Sequence, residues 1–156
     1  MSNFLLFAIP DQMTAKIKKN KLEIEYSYDF ELLGVRTSLK GYKLAWHLNN
    51  MLKTNLIKQK DLVIHFKKGQ TAAYDHYSFK TPLNELNLFR NKPAESENSG
   101  PELVPEFPHF DFILMTQSEE NLSGNRLQEY LRGIPSVELV TLIPLTALKS
   151  KDNFIF

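Results

Sequence analysis

Two carboxylates stand close together in the stretch LVPEFPHFDFILM (residues 103–115): Glu106 follows Pro105, and Asp111 lies between Phe110 and Phe112. A pair of acids can share general-acid and general-base work in glycoside hydrolysis when the carboxyls are about 5–9.5 Å apart on one site. Five positions of regular strand instead put them on opposite faces, roughly 16 Å apart. Pro105 and Pro108 bias the residues before them towards extended backbone, so the chain enters the strand nearly straight. Paired catalysis is therefore not expected. A carboxylate among apolar neighbours must find donors. Asp111 is expected to take them from backbone amides at a nearby helix start, or from Arg126 or Lys80, and Glu106 to anchor the loop before it. A regular strand would set Phe110, Phe112 and Leu114 on one face, with Asp111, Ile113 and Met115 on the other.

The four histidines suggest little metal chemistry. A hairpin turning near Gly69 would bring His65 opposite residues Tyr74 to His76, with Asp75 as a third ligand. Adjacent positions 75 and 76 point to opposite faces of a strand, however, and no H-x-H or H-E-x-x-H spacing occurs. His47 and His109 read as ordinary boundary residues. The absence of cysteine removes thiolate ligands, cysteine nucleophiles and disulfides, which fits a reducing compartment. There is no G-x-x-x-x-G-K-[ST] loop, G-x-G-x-x-G turn or G-x-S-x-G elbow. No catalytic residue, cofactor or metal is expected, although triad members need not be neighbours in sequence.

Nucleic acid is the second chemistry to weigh. Basic and aromatic residues interleave in HFKKGQTAAYDHYSFK (65–80) and NLFRNK (87–92), making Lys67, Lys68, Lys80 and Arg90 candidate RNA contacts. A sheet face with aromatics beside cations can stack bases and hold phosphates. The basic-Gly-aromatic-small-Phe ribonucleoprotein motif is missing. Residues 1–92 carry 13 Lys and 2 Arg against 8 acids, and residues 93–156 carry 2 Lys and 2 Arg against 10. If the halves share one fold, their charges interleave and no basic pole results.

The elements that must position these groups fit one domain of 156 residues. Residues 1–19 read as an extension. Its apolar run Phe4–Ile9 is shorter than the roughly 7–15 residues of a signal core and has no basic flank before it. No window reaches the roughly 18 apolar residues of a membrane span, so a soluble, cytoplasmic protein is expected. KLEIEY (21–26) and FELLGVRTSL (30–39) read as strands, Gly34 marking a bulge or a close approach. Leu44, Leu48, Met51, Leu52 and Leu56 make a helical stripe over residues 40–56. Tyr42 and Trp46 lie off it, Trp46 roughly 150° from its centre. Burial under a second element is the plainer expectation, and a surface aromatic pair the alternative. A hairpin over 61–82 and a strand over 86–91 follow, then a polar, proline-bearing flexible loop at 92–106. A strand over 109–116, a helix starting at Ser123 and stopping at Gly133 and Pro135, and a long strand over 137–148 complete residues 20–156. Runs of strands between two helices predict an α+β fold, a mostly antiparallel or mixed sheet with both helices on one face. A ferredoxin-like arrangement is one option among several.

The stretch VPEFPHFDF (104–112) resembles the signature I-P-E-x-x-x-V-D-Y of a family of short bacterial proteins. Pro105, Glu106 and Asp111 match in identity and spacing; Val104, Phe110 and Phe112 stand for Ile, Val and Tyr. The likeness extends from KLEIEYSYDFELLGVRTSLKGYKLAWHLN to the terminal LKSKDNFIF. It implies a small cytoplasmic bacterial protein of unassigned function, without recognised cofactor or catalytic residue. Phe112 lacks the tyrosine hydroxyl, so no role resting on that hydroxyl carries over.

The leading expectation is then a non-enzymatic protein-binding or adapter domain, with Tyr42, Trp46, Phe154 and Phe156 as candidate partner contacts. An aromatic tail either docks in its own core or reaches another chain. An RNA-associated factor is the alternative, and an enzyme of unrecognised type the third reading. Partner identity and oligomeric state are not readable from the chain.

Overall fold

A computed structural model describes residues 28–66, 69–94 and 100–155. The extension 1–19 and the strand expected at KLEIEY lie outside the described residues. The elements run β1 (Glu31–Thr37), α1 (Gly41–Leu52), β2 (Ile57–Lys58), β3 (Leu62–His65), β4 (Thr71–Tyr74), β5 (His76–Lys80), β6 (Asn84–Arg90), β7 (Phe112–Ser118), α2 (Gly124–Arg132) and β8 (Val137–Ile143). Two 3-10 turns follow, Leu145–Ala147 and Ser150–Phe154. Among the described residues six strands form one sheet in the order β2-β5-β6-β7-β1-β8, and β3 pairs with β4 apart from it. Every pairing among the described residues is antiparallel. The fold is α+β, as the run of strands between two helices predicts.

Without β2 to β5, the connectivity β1-α1-β6-β7-α2-β8 is that of the split βαβ arrangement. The four smaller strands are an insertion between α1 and β6. Because β1 sits between β7 and β8, the basic and acidic halves interdigitate, and Arg36 Nε lies 3.5 Å from Glu138 Oε1. Among the described residues the charges of the two halves are thus interleaved.

Both faces of the sheet are covered. On one, α1 and α2 lay Leu44, Ala45, Leu48, Leu127 and Leu131 over Leu33, Val35, Leu88, Phe112 and Leu114. On the other, the β3–β4 hairpin, residues 100–110 and the C-terminal turns bring Tyr74, Leu103, Val104, Phe110 and Phe154 onto Leu32, Phe89, Ile113 and Met115. This explains five consecutive buried residues in β7, since a strand covered on both sides loses its polar alternation.

Several boundaries differ from the sequence reading. Regular strand geometry starts at Phe112, after turns closed by Phe107 N to Val104 O (3.1 Å) and Phe110 N to Phe107 O (3.4 Å). Phe110 therefore faces with Ile113 and Met115, not with Phe112 and Leu114. Its ring lies on Gly34, where a Cβ would overlap it, so Gly34 serves a close approach. The bulge is two residues on, between Arg36 and Thr37.

Helix α1 stops at Leu52 because Lys53 is left-handed (φ 58°) and the Asn49 side chain holds the following turn. Its Oδ1 accepts from Leu56 N at 2.7 Å and Thr54 Oγ1 at 2.9 Å. The last strand ends at Ile143, before Pro144, which has no amide for a ladder. Of the stretch 92–106, expected to be a flexible loop, residues 95–99 lie outside the described residues, while Leu103 and Val104 sit in the core with no exposed surface.

Candidate functional site: the motif corner and the outer face of the first helix

The motif carboxylates serve two separate sets of main-chain donors. Asp111 Oδ2 accepts from Thr37 N at 2.9 Å, an amide freed by the bulge in β1 and lying just before α1. Arg126 and Lys80 are engaged elsewhere, Arg126 with the Tyr130 hydroxyl (2.9 Å) and Lys80 with Glu85 (3.9 Å). Glu106 Oε2 accepts from Lys149 N (2.6 Å) and Ser150 N (3.0 Å), and Oε1 from Ser150 Oγ (2.7 Å). Pro105, exposed at the turn, directs Glu106 towards these donors.

Partial burial pushes the Glu106 carboxyl up, but the Ser150 hydroxyl and the backbone amides together outweigh it and hold the group below its usual range. A carboxyl depressed on folding stabilises fully above its unfolded pKa, and that stabilisation is lost as pH falls through the folded value. Glu106→Gln is expected to cost about 1 kcal/mol at neutral pH, a charged hydrogen-bond contribution discounted for exposure. The gap to the unmodified protein should close as acid titrates the carboxyl. Urea midpoints from pH 7 to pH 3 check this; a gap constant across that range would sink it.

Asn91 organises the corner and carries no recognisable motif. It is fully buried. Its Oδ1 accepts from Val104 N (2.8 Å), and Nδ2 donates to the carbonyls of Phe110 (2.9 Å) and Phe107 (3.2 Å). Its own main chain bonds Asp111 O (2.9 Å) and Leu103 N (2.7 Å). One residue thus fastens both ends of 103–111 to the end of β6. An asparagine beside Lys92 and Pro93 reads as a turn residue, and no sequence signal marks its burial.

The tail expectation is corrected. Phe154 is 2% exposed, its ring centroid 5.6 Å from Phe89 and 6.4 Å from Phe30. Asn153 Nδ2 donates to Leu103 O at 3.1 Å, and the Tyr28 hydroxyl to Asp152 Oδ1 at 2.7 Å. Phe154 belongs to the core and is not available to a partner; Phe156 lies outside the described residues.

The expected burial of the α1 aromatics is also corrected. Tyr42 is 65% exposed and Trp46 54%, one turn apart on the outer face of α1. Lys43 Nζ stands 5.2 Å from the indole centroid, and the His47 ring meets the indole edge-on at 5.0 Å. Among the described residues no second layer covers this side, because the β3–β4 hairpin and the C-terminal turns pack on the opposite face of the sheet.

The RNA candidates are not gathered together. Lys67 and Lys68 lie outside the described residues. Lys80 sits across from Glu85, and Arg90 is at the far end of β6, five residues along. Tyr77 and Phe79 pack against the helix-side core instead of presenting an open stacking face.

The histidine pair does not form either. The hairpin closes through Phe66 N to Gln70 O (2.7 Å), with Gly69 left-handed at φ 77°. His65 therefore opposes Thr71, and Leu62 opposes Tyr74. His76 leaves for the main sheet, bonds Asn87 Oδ1 at 2.8 Å and stacks on Phe89. Its burial holds the imidazole below its ordinary pKa, with the Asn87 bond opposing. Among the described residues no group of three histidines or acids could hold a metal ion, and no helix is long and apolar enough to cross a membrane.

No protein-family model matches the chain, and no curated protein matches it in sequence.

Proposed function

We propose that this protein is a non-enzymatic protein-binding domain that docks a partner on the outer face of α1. The exposed pair Tyr42 and Trp46 carries the reading. Large aromatics are enriched at interface hot spots, and here they share one helix face on which both are more than half exposed. Lys43 over the indole holds that ring in place at the surface. The same reading includes membership in the I-P-E-x-x-x-V-D-Y family, on Pro105, Glu106 and Asp111, and a bacterial cytoplasmic setting consistent with the cysteine-free chain.

Tyr42→Ala with Trp46→Ala is expected to leave the thermal midpoint within about 2 °C, because both are surface positions. The double variant should lose a stoichiometric partner that the unmodified protein retains on affinity capture after nuclease treatment. Equal capture by both forms would overturn the reading. Loss of the captured set on nuclease treatment alone would favour the RNA-associated alternative.

A further inference from the structure

Beside the start of α1 a half-open cavity of about 590 Å³ lies between the helix, β5 and the end of β6. That volume is in the range of small-molecule sites. Its lining includes Ser38, Lys40, Tyr42, Tyr77, Arg90 and Lys92. Among the described residues nothing accepts a hydrogen bond or ion pair from the Arg90 guanidinium or the Lys40 ammonium. Lys92 donates to Pro108 O at 2.8 Å, which fixes its ammonium at the rim with two donors to spare.

The cavity also holds Asp75 and Asp111, but both have other ties. Asp111 Oδ2 receives the Thr37 amide at 2.9 Å, and Asp75 Oδ1 lies 4.0 Å from Lys58 Nζ, which is not part of the lining. The lining thus sets three cations, Lys40, Arg90 and Lys92, against two carboxylates, an excess of one positive charge. The helix adds to the same sign. Lys40 at its N-cap makes no side-chain capping bond, and its first turn holds no acid. Gly41 leaves the backbone bare where a Cβ would come within 3.3 Å of the Tyr77 hydroxyl.

The geometry points to a binding site for a phosphate group, as on a small phosphomonoester, in the cavity between α1, β5 and β6. The residues that carry donors come from three parts of the fold, the start of α1, β5 and the end of β6, which suits a ligand that offers oxygens in several directions. A planar carboxylate would be satisfied by the Arg90 fork alone, whereas a tetrahedral phosphate also uses the tyrosine and lysine donors. The positive excess of Lys40, Arg90 and Lys92 over Asp75 and Asp111 favours an anion over a cation as the occupant. The site stands apart from the partner reading: Tyr42 borders both, but Lys40, Arg90 and Lys92 are not part of the proposed partner face.

The test is titration of the ¹⁵N-labelled full chain with inorganic phosphate at constant ionic strength. Saturable shifts are expected at the Gly41 and Tyr42 amides, with acetate binding more weakly. Arg90→Gln, and separately Lys40→Gln, should each weaken phosphate binding about tenfold, the loss of one charged hydrogen bond. Lys80→Ala removes the same charge at the distant end of β5 and should leave binding unchanged. Non-saturable shifts, equal affinity for acetate, unchanged binding by the two glutamine variants, or an equal loss in Lys80→Ala would each overturn the site.

Discussion

Replacing Asn91 with leucine is expected to cost about 3–5 kcal/mol and to release residues 103–111 from the sheet. Leucine conserves the volume, so little of the loss comes from a cavity. What it removes are the partners of three main-chain groups: the Val104 amide and the carbonyls of Phe107 and Phe110. A buried polar group left unpaired costs about 1–3 kcal/mol, and burial here allows little relief from water. The donors and acceptor also act as a set, because each bond orients the amide for the others. In a protein with about 5–15 kcal/mol of stability, that is a large share. Urea unfolding gives the size, and amide exchange gives the place: Leu103 and Val104 should lose protection far more than Leu33. A cost below about 1 kcal/mol would mean the corner finds its partners elsewhere. Asn91→Asp provides the chemical control, because it keeps the acceptor for Val104 but turns both donors into acceptors facing carbonyls.

That corner also shows what the sequence could and could not reveal. The motif carboxylates were legible as groups in need of donors, because an acid amid phenylalanines has few other ways to sit there. The identity of the donors was not, since the Lys149 and Ser150 amides come from 44 residues or fewer further along the chain. Periodicity recovered the buried stripe of α1 at Leu44 and Leu48, and chain chemistry recovered the Ser123 cap, whose hydroxyl accepts from Arg126 N at 3.4 Å. The same periodicity placed Trp46 off the stripe but could not say whether another element covered it. That depends on which face of the sheet the insertion and tail chose. Phe110 was misplaced because alternation holds only inside a regular strand, and the strand starts two residues later. Local pattern reports which side chains seek burial; the long-range pairing decides what buries them.

The C-terminal tail poses that distinction most sharply, and Phe154→Ala is expected to lower stability by about 3–5 kcal/mol. The ring fills space against Phe30 and Phe89 at the face of the sheet away from the helices, so truncation leaves a cavity and not a repacked surface. Collapse around the gap is limited, because Glu106 fixes the chain at Lys149 and Ser150 and Asn153 fixes it at Leu103. For a chain of this length the thermal midpoint should fall by about 10 °C. The neighbouring Ile155→Ala serves as the contrast: Ile155 is 41% exposed, and its truncation should cost about 0.5 kcal/mol or less. Differential scanning calorimetry of the two variants separates a docked tail from a free one. Equal midpoints for both would return the tail to the surface and make it available to a partner. The expected large difference leaves Tyr42 and Trp46 as the aromatic surface on which the partner reading stands.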